Sequence, residues 1–392
     1  MQYPKGKIMA IVQSFRQGHH LLQPGHDVQG FFNQVCASLS TRRANLVMVC
    51  HAIGSLPPFL QALEQVADIS GILVKPKSAQ TDILRRISRY HRTEILSREI
   101  CESPFKTQEL LDGMTGGRET ILVDIGGYFC NVPAWKQQGF LQNIVGIVED
   151  TENGHQRYQK SDLAGMPVVS VARSATKQLE DWWVGRAIVF SAERQLRHIG
   201  ETFHAKKITV LGFGKIGFSI ADTLLRHGYD VSIFDTDPCK RVLAKCLNYA
   251  IPERDRAISG ADVIFSATGN RALSLADLNR KSRPTFVFSA TSADDEFDID
   301  FSTATKTYGE FWQFPRRDDR TTDFFANRGN AINFIDGGEI GRYAHMVQSA
   351  IAHGIDAILC GEYALGAISE LSQTRERLIS SAYISEFEQD RS

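Results

Sequence analysis

The sequence predicts an α/β protein: a Rossmann-type dinucleotide-binding domain joined to a second parallel α/β domain. Three observations predict it. A strand–turn–helix–strand block runs from Lys207 to Pro238, short apolar runs alternate with amphipathic stretches before it, and 392 residues exceed one ordinary core. Within the block, Ile208-Thr209-Val210-Leu211 is apolar and β-branched, as a buried strand requires. Gly212, Gly214 and Gly217 follow as G-x-G-x-x-G, with Lys215 and Ile216 opening a helical pattern. The first glycine permits a tight turn, the second lets backbone approach a pyrophosphate, and the third lets helix and strand pack closely. A second strand, Val231 to Phe234, ends at Asp235, where a carboxylate can accept hydrogen bonds from both ribose hydroxyls and repel a 2′-phosphate. Strand, helix, second strand and acid in register make NAD the expected cofactor, rather than NADP.

Upstream, Asn45–Cys50, Gly71–Val74, Thr120–Asp124, Ile144–Glu149 and Val168–Val171 read as strands. Pro58–Val66 and Thr81–His91 read as helices between them. Active groups of parallel sheets sit at the carboxyl ends of strands, and His51, Lys75, Asp124 and Glu149-Asp150 fall there. Thr176 to His204 reads as one helix leading into the dinucleotide strand. Lys177, Asp181 and Gly185 share its face, and spacing alone favours an exposed i,i+4 ion pair.

Downstream, Asp262–Ala267 ends in Thr268-Gly269-Asn270 and Thr285–Ala290 in Thr291-Ser292, small polar ends suited to a nicotinamide half. Tyr308–Asn330 reads as an irregular ordered insertion, Gly329–Phe334 as turn plus strand, and Glu339–Ala364 as helix. Arg375–Ser392 reads as a charged tail without fixed structure. The expected organisation is a substrate domain over 1–190, the NAD-binding domain over 191–335, and a helical segment over 336–392 returning towards the substrate domain.

Lys and Arg number 44 against 45 Asp and Glu, so charge draws the chain neither to nucleic acid nor to an anionic membrane. Seven scattered cysteines without C-x-x-C spacing read as reduced, mostly buried thiols, and no metal site is expected. The N-terminal apolar run is too short for a signal peptide, and no segment is long enough to span a bilayer. A soluble cytoplasmic protein acting on a small molecule is the expectation.

The ordered motifs resemble the S-adenosylhomocysteine hydrolase family, from about His51 to Phe334. Val210–Gly217 is similar to that family's VAGYGDVG turn, Phe234–Pro238 to its TEIDP, and Ser174–Lys177 with Asp181 and Gly185 to its SVTK…D…G. Ser266–Asn270 resembles its TTTG loop, Gly329–Phe334 its GRLVNL, Glu149-Asp150-Thr151 its EET and Cys50-His51 its LH. The resemblance implies a tightly held NAD that oxidises a ribose 3′-hydroxyl and is regenerated within each turnover. It implies Lys177 as the general acid–base group, Asp181 and Asp150 as acceptors for a vicinal diol, and His51 on the 5′ side. Thr151 would line the nicotinamide and Asn333 would hold its carboxamide. A homo-oligomer is also implied. On its own residues His51 reads equally as a packed strand-end histidine.

The chain departs from the family where adenine and the elimination step are handled. Ile125 stands at an aspartate position, Trp182 at an asparagine, and Ile53 and Ser55 at the adenine-holding threonine and glutamate. Ser292–Glu296 has no histidine, Ile335–Gly338 replaces GCAMGHPS, and a C-terminal KPxxYRY is missing. The expected function is therefore NAD-dependent oxidation of a secondary hydroxyl on a nucleoside-like or sugar-diol substrate. The alternatives are a non-catalytic NAD-binding scaffold and a hydrolase of S-adenosylhomocysteine with substituted residues.

Overall fold

The computed structural model describes residues 28–279, 283–306, 309–315 and 322–388. Two seven-stranded sheets carry the chain. The first contains β1 (Ala44–Cys50), β2 (Ala67–Val74), β3 (Thr93–Ile95), β4 (Thr120–Asp124), β5 (Ile144–Glu149) and β6 (Val168–Ser170). The second contains β7 (Ile208–Leu211), β8 (Val231–Phe234) and β9 (Val263–Ser266). After β10 (Leu273–Ser274), which pairs with β12 (Phe297–Asp298) in a separate ribbon, the second sheet resumes with β11 (Phe286–Ser289). It ends with β13 (Thr305–Lys306), β14 (Phe311–Pro315) and β15 (Thr322–Ala326). A last strand, β16 (Ile368–Glu370), returns to the first sheet and pairs parallel with β6.

The first sheet is parallel throughout, in the order β16-β6-β5-β4-β1-β2-β3. The second runs β13-β14-β15-β11-β9-β7-β8, parallel except for β13 and β14 at one edge. Central strands such as β4, β7 and β9 are buried along their length, which explains their uninterrupted apolar character. The helix Ala175–His198 joins the sheets; the Ser174 side chain caps its N-terminus by accepting from the Lys177 amide. The helix Tyr343–Cys360 packs back on the first sheet, with Met346, Val347, Ala350 and Ile351 in that sheet's core.

Several expectations are corrected. Gly329–Phe334 forms no strand: it is two 3₁₀ turns, Asn327–Gly329 and Ile332–Asp336, with Ala331 alone bridging to Ser289. Left-handed backbone at Asn327 and Arg328 breaks the extended path there. In the supposed irregular insertion, β14 and β15 pair antiparallel; residues 316–321 between them lie outside the described residues. The C-terminal segment is a helix, Gln373–Phe387, whose buried Ile379, Ala382, Tyr383 and Phe387 follow helical spacing that the charges had obscured. The cysteines are not mostly buried: only Cys50 and Cys101 are, while Cys239, Cys246 and Cys360 are exposed. Cys239 and Cys246 lie on the short helix Pro238–Cys246, which buries only Ala244.

Arg375 anchors that C-terminal helix. Its guanidinium pairs with Asp356 at 2.8 Å and Glu362 at 2.9 Å, and only 9 % of its side chain is exposed. Removing one partner of a buried pair strands the other, so Arg375→Ala should destabilise the protein by about 3 kcal/mol. A urea unfolding curve with an unshifted midpoint would contradict this placement.

Candidate functional site

Strand order reverses once in each sheet, between β1 and β4 in the first and between β7 and β9 in the second. Ligands of open α/β sheets bind at the carboxyl ends of strands beside such reversals. Here the two points face each other across one cleft of about 760 Å³. His51, Lys75, Ile125, Asp150 and Thr151 line it from the first sheet; Gly212, Gly214, Asp235, Thr268 and Asn270 line it from the second.

The second sheet's wall is a dinucleotide cradle. Gly212 follows β7 with φ of +90°, and a Cβ there would lie 2.7 Å from the Ala267 carbonyl oxygen. Gly217 is buried against the turn, where a Cβ would fall 2.0 Å from the Gly212 oxygen, so helix and strand approach as this fold requires. Gly214 precedes the helix Lys215–Arg226 and has open space where its Cβ would be. Asp235 is oriented by the backbone amides of Phe213 at 2.6 Å and Asp237 at 2.8 Å, and its carboxylate lines the cleft. Deeper in, Asn333 is buried and its Oδ1 has no hydrogen-bond partner. A buried acceptor left open is costly, and a carboxamide N–H₂ would complete it. These residues fit NAD: Asp235 and the glycine turn at the adenosine and pyrophosphate, Asn333 at the nicotinamide. Ile216 and Lys215 line the cleft, and Gly269 falls between its lining residues Thr268 and Asn270.

Beside the cradle lies a compact ionic cluster. Lys177, Asp150 and Asp181 are 8 %, 6 % and 7 % exposed, which overturns the surface ion pair that spacing suggested. Nor do Lys177 and Asp181 pair directly. The Lys177 ammonium lies 3.3 Å from Asp150 and contacts Glu180 closely, while Asp181 pairs with Lys215 at 3.2 Å. Burial alone would lower the Lys177 pKa, but the charges of Asp150, Glu180 and Asp181 outweigh it and hold the ammonium well above its ordinary value. Burial raises the Glu180 carboxyl to about 7 against the opposing pull of Lys177. Sequence reading missed Glu180; its position three residues after Lys177 on a helix was the available signal.

Two buried glutamates shape the loops that carry these groups. Glu149, ending β5, accepts from the Gly126, Gly127 and Thr151 amides at 3.1, 3.0 and 2.6 Å. It also accepts from the Thr151 hydroxyl at 2.7 Å, while Thr151 itself caps the helix Glu152–Lys160. Glu296 does the same work opposite, accepting from the Gly269 amide at 2.7 Å and from the hydroxyls of Thr268 at 2.9 Å and Thr291 at 2.7 Å. His51 stacks on Phe334 with centroids 5.0 Å apart and hydrogen-bonds Ser78. Burial, then the charges of Lys75 and Lys177, push its pKa well below the ordinary histidine value, so it is neutral at physiological pH. Ile125 lines the cleft, whereas Trp182 packs on Phe218, centroids 5.9 Å apart, outside the lining.

Residues 207–291 match a protein-family model described as NADP oxidoreductase, coenzyme F420-dependent. An adenosylhomocysteinase of Thermotoga maritima is 26 % identical over 200 residues, covering 50 % of this chain and 48 % of that protein. The chain thus spans about half the length of this curated relative. A putative D-3-phosphoglycerate dehydrogenase from Ralstonia solanacearum aligns with a TM-score of 0.47 at 12 % identity, covering 85 % of this chain and 98 % of that one. The TT0316 protein of Thermus thermophilus aligns at 0.45 and 12 %, covering 81 % and 97 %. Structural likeness at this level carries no argument about chemistry. The second sheet is a Rossmann-type nicotinamide-dinucleotide-binding unit, and its cofactor is NAD.

Replacing Asp235 by Ala should weaken NADH binding about tenfold or more through lost charged hydrogen bonds. It should also narrow the preference over NADPH. Fluorescence titration of both cofactors checks this, and an unchanged NADH/NADPH ratio would remove Asp235 from the ribose site.

Proposed function

We propose that this protein is an adenosylhomocysteinase-like enzyme that uses bound NAD to oxidise a secondary hydroxyl of a nucleoside-like or sugar-diol substrate. The observation that carries this reading is the Lys177 ammonium, buried among Asp150, Glu180 and Asp181 in the cleft that holds the dinucleotide cradle. Bound NAD supplies the hydride acceptor. The chain supplies the rest: carboxylates that accept from adjacent hydroxyls, and a proton site at the oxidised carbon's oxygen.

In the resting site Lys177 is an ammonium and donates to the substrate oxygen. Glu180, with its carboxyl near 7, is the group in this cluster that exchanges a proton at physiological pH. We therefore assign Glu180 as the group that takes the hydroxyl proton while the Lys177 ammonium holds the substrate oxygen, with Asp181 and Lys215 holding the far side. Asp150 accepts from the second hydroxyl. His51, neutral and stacked on Phe334, is assigned to the 5′ side of the substrate, as the family resemblance implies.

Two further readings stay in view, each on a specific observation. A non-catalytic NAD-binding scaffold is favoured by Ile125, an aliphatic side chain on the cleft wall where the resemblance calls for a carboxylate. Hydrolysis of S-adenosylhomocysteine is favoured by the likeness to the Thermotoga maritima adenosylhomocysteinase, and homocysteine release would reveal it.

Mixing NAD-loaded protein with sugar diols and nucleosides should produce bound-NADH absorbance, and Lys177→Ala should abolish it. Total absence of reduction despite tight NAD binding would favour the scaffold. The rate of NADH formation should rise with pH through about 7, since the Glu180 carboxyl accepts a proton only above its raised pKa. Glu180→Gln should slow that rate and remove the rise; a variant profile identical to the parent's would dismiss Glu180 as the acceptor.

A further inference from the structure

The cleft also holds a second group of cations outside the Lys177 cluster, and Lys75 and Lys177 both bear on the charge of His51. Lys75 directly follows β2, Arg98 opens the short helix after β3, and Tyr128 follows β4, so all three stand at carboxyl ends of the first sheet. All three line the cleft. The Lys75 ammonium donates to the Ile125 carbonyl at 3.1 Å and lies 5.5 Å from the centre of the Tyr128 ring. Among the described residues no carboxylate forms an ion pair with it. The Arg98 guanidinium lies 5.1 Å from the centre of the same ring and pairs with Asp295 at 3.3 Å. That carboxylate is shared, because Arg157 also holds it, at 2.9 Å. The neighbouring Asp294 is taken by Lys77 at 2.6 Å. Arg98 and Arg157 thus share the carboxylate of Asp295, whose charge reaches Lys75 from beyond ion-pair distance.

Lys75 meets only one carbonyl and a ring face at contact distance; the charges of Asp295, Glu149 and Asp124 act on it from beyond ion-pair distance, and burial opposes them, so its charge is incompletely compensated. A ligand anion would relieve it and gain charge-assisted hydrogen bonds from two cations at once. We propose that Lys75, Arg98 and Tyr128 form a subsite for an anionic group, a carboxylate or a phosphate, carried by the substrate apart from the hydroxyl that faces Lys177. Lys75 contacts the anion directly, Arg98 supplies the second donor from the Tyr128 ring face, and Arg157 fixes Asp295 behind them. The inference deepens the functional reading above by naming the substrate class, an anionic polyol or nucleotide-like molecule, and shares only the cleft with it.

The test is calorimetric binding to NAD-loaded protein, with no turnover required. D-ribose, D-ribose 5-phosphate and D-ribonate are the probes. The anionic probes should bind at least about tenfold more tightly than ribose, the phosphate and carboxylate arms telling which anion is preferred. Lys75→Met should collapse that advantage and Lys75→Arg should retain most of it, in variants whose NAD affinity and melting temperature match the parent. Arg98→Met should weaken the anionic probes more than ribose. No anion advantage in the parent, including no binding of either anionic probe, would overturn the subsite; so would an advantage that survives in Lys75→Met. Failure of hydride transfer leaves these binding results unaffected, so the two proposals fail separately.

Discussion

The site depends on how one buried ammonium is neutralised. Lys177 sits 8 % exposed, and its charge is sustained by Asp150, Glu180 and Asp181, which arrive from the end of β5 and from its own helix. None of these charges would be tolerated alone at that depth. Together they hold one another in place, and they leave a carboxyl near 7 beside an ammonium facing a dinucleotide cradle. The proposed proton exchange rests on that mutual constraint.

Placing the cluster requires both sheets. The helix Ala175–His198 carries Lys177, Glu180 and Asp181 at its N-terminal end, and Lys215, on the cradle side, pairs with Asp181 at 3.2 Å. Glu149 and Glu296, fully buried at opposite walls, gather the loop amides that shape each strand end. Between the walls, Lys77–Asp294, Arg98–Asp295 and Arg157–Asp295 tie one half of the chain to the other along the cleft rim. The cleft is therefore a product of paired charges as much as of apolar packing.

The cradle was legible in the sequence because its physics is local. A glycine turn, a strand of β-branched residues and an acid at fixed spacing each leave a mark along the chain, and the structure brings Gly212, Gly214 and Asp235 to one wall. The ionic cluster was legible only in part. Lys177 and Asp181 share a helix face, yet whether that face is buried depends on a sheet elsewhere in the chain, and Glu180 has no motif to mark it. The C-terminal helix shows the same limit: its charges suggested a tail, while the apolar stripe from Ile379 to Phe387 acquires meaning only against the first core. Lys75 and Arg98, separated by an entire strand, meet around Tyr128 through topology alone.

The most direct test of the central claim follows the hydrogen itself. NAD-loaded protein is incubated with adenosine and ribose compounds carrying deuterium at each ring carbon in turn, and the cofactor is released and weighed by mass spectrometry. The account predicts deuterium on the nicotinamide from one secondary carbinol position, with no label in the Lys177→Ala protein. Label-free cofactor throughout, with NAD still bound, would contradict it.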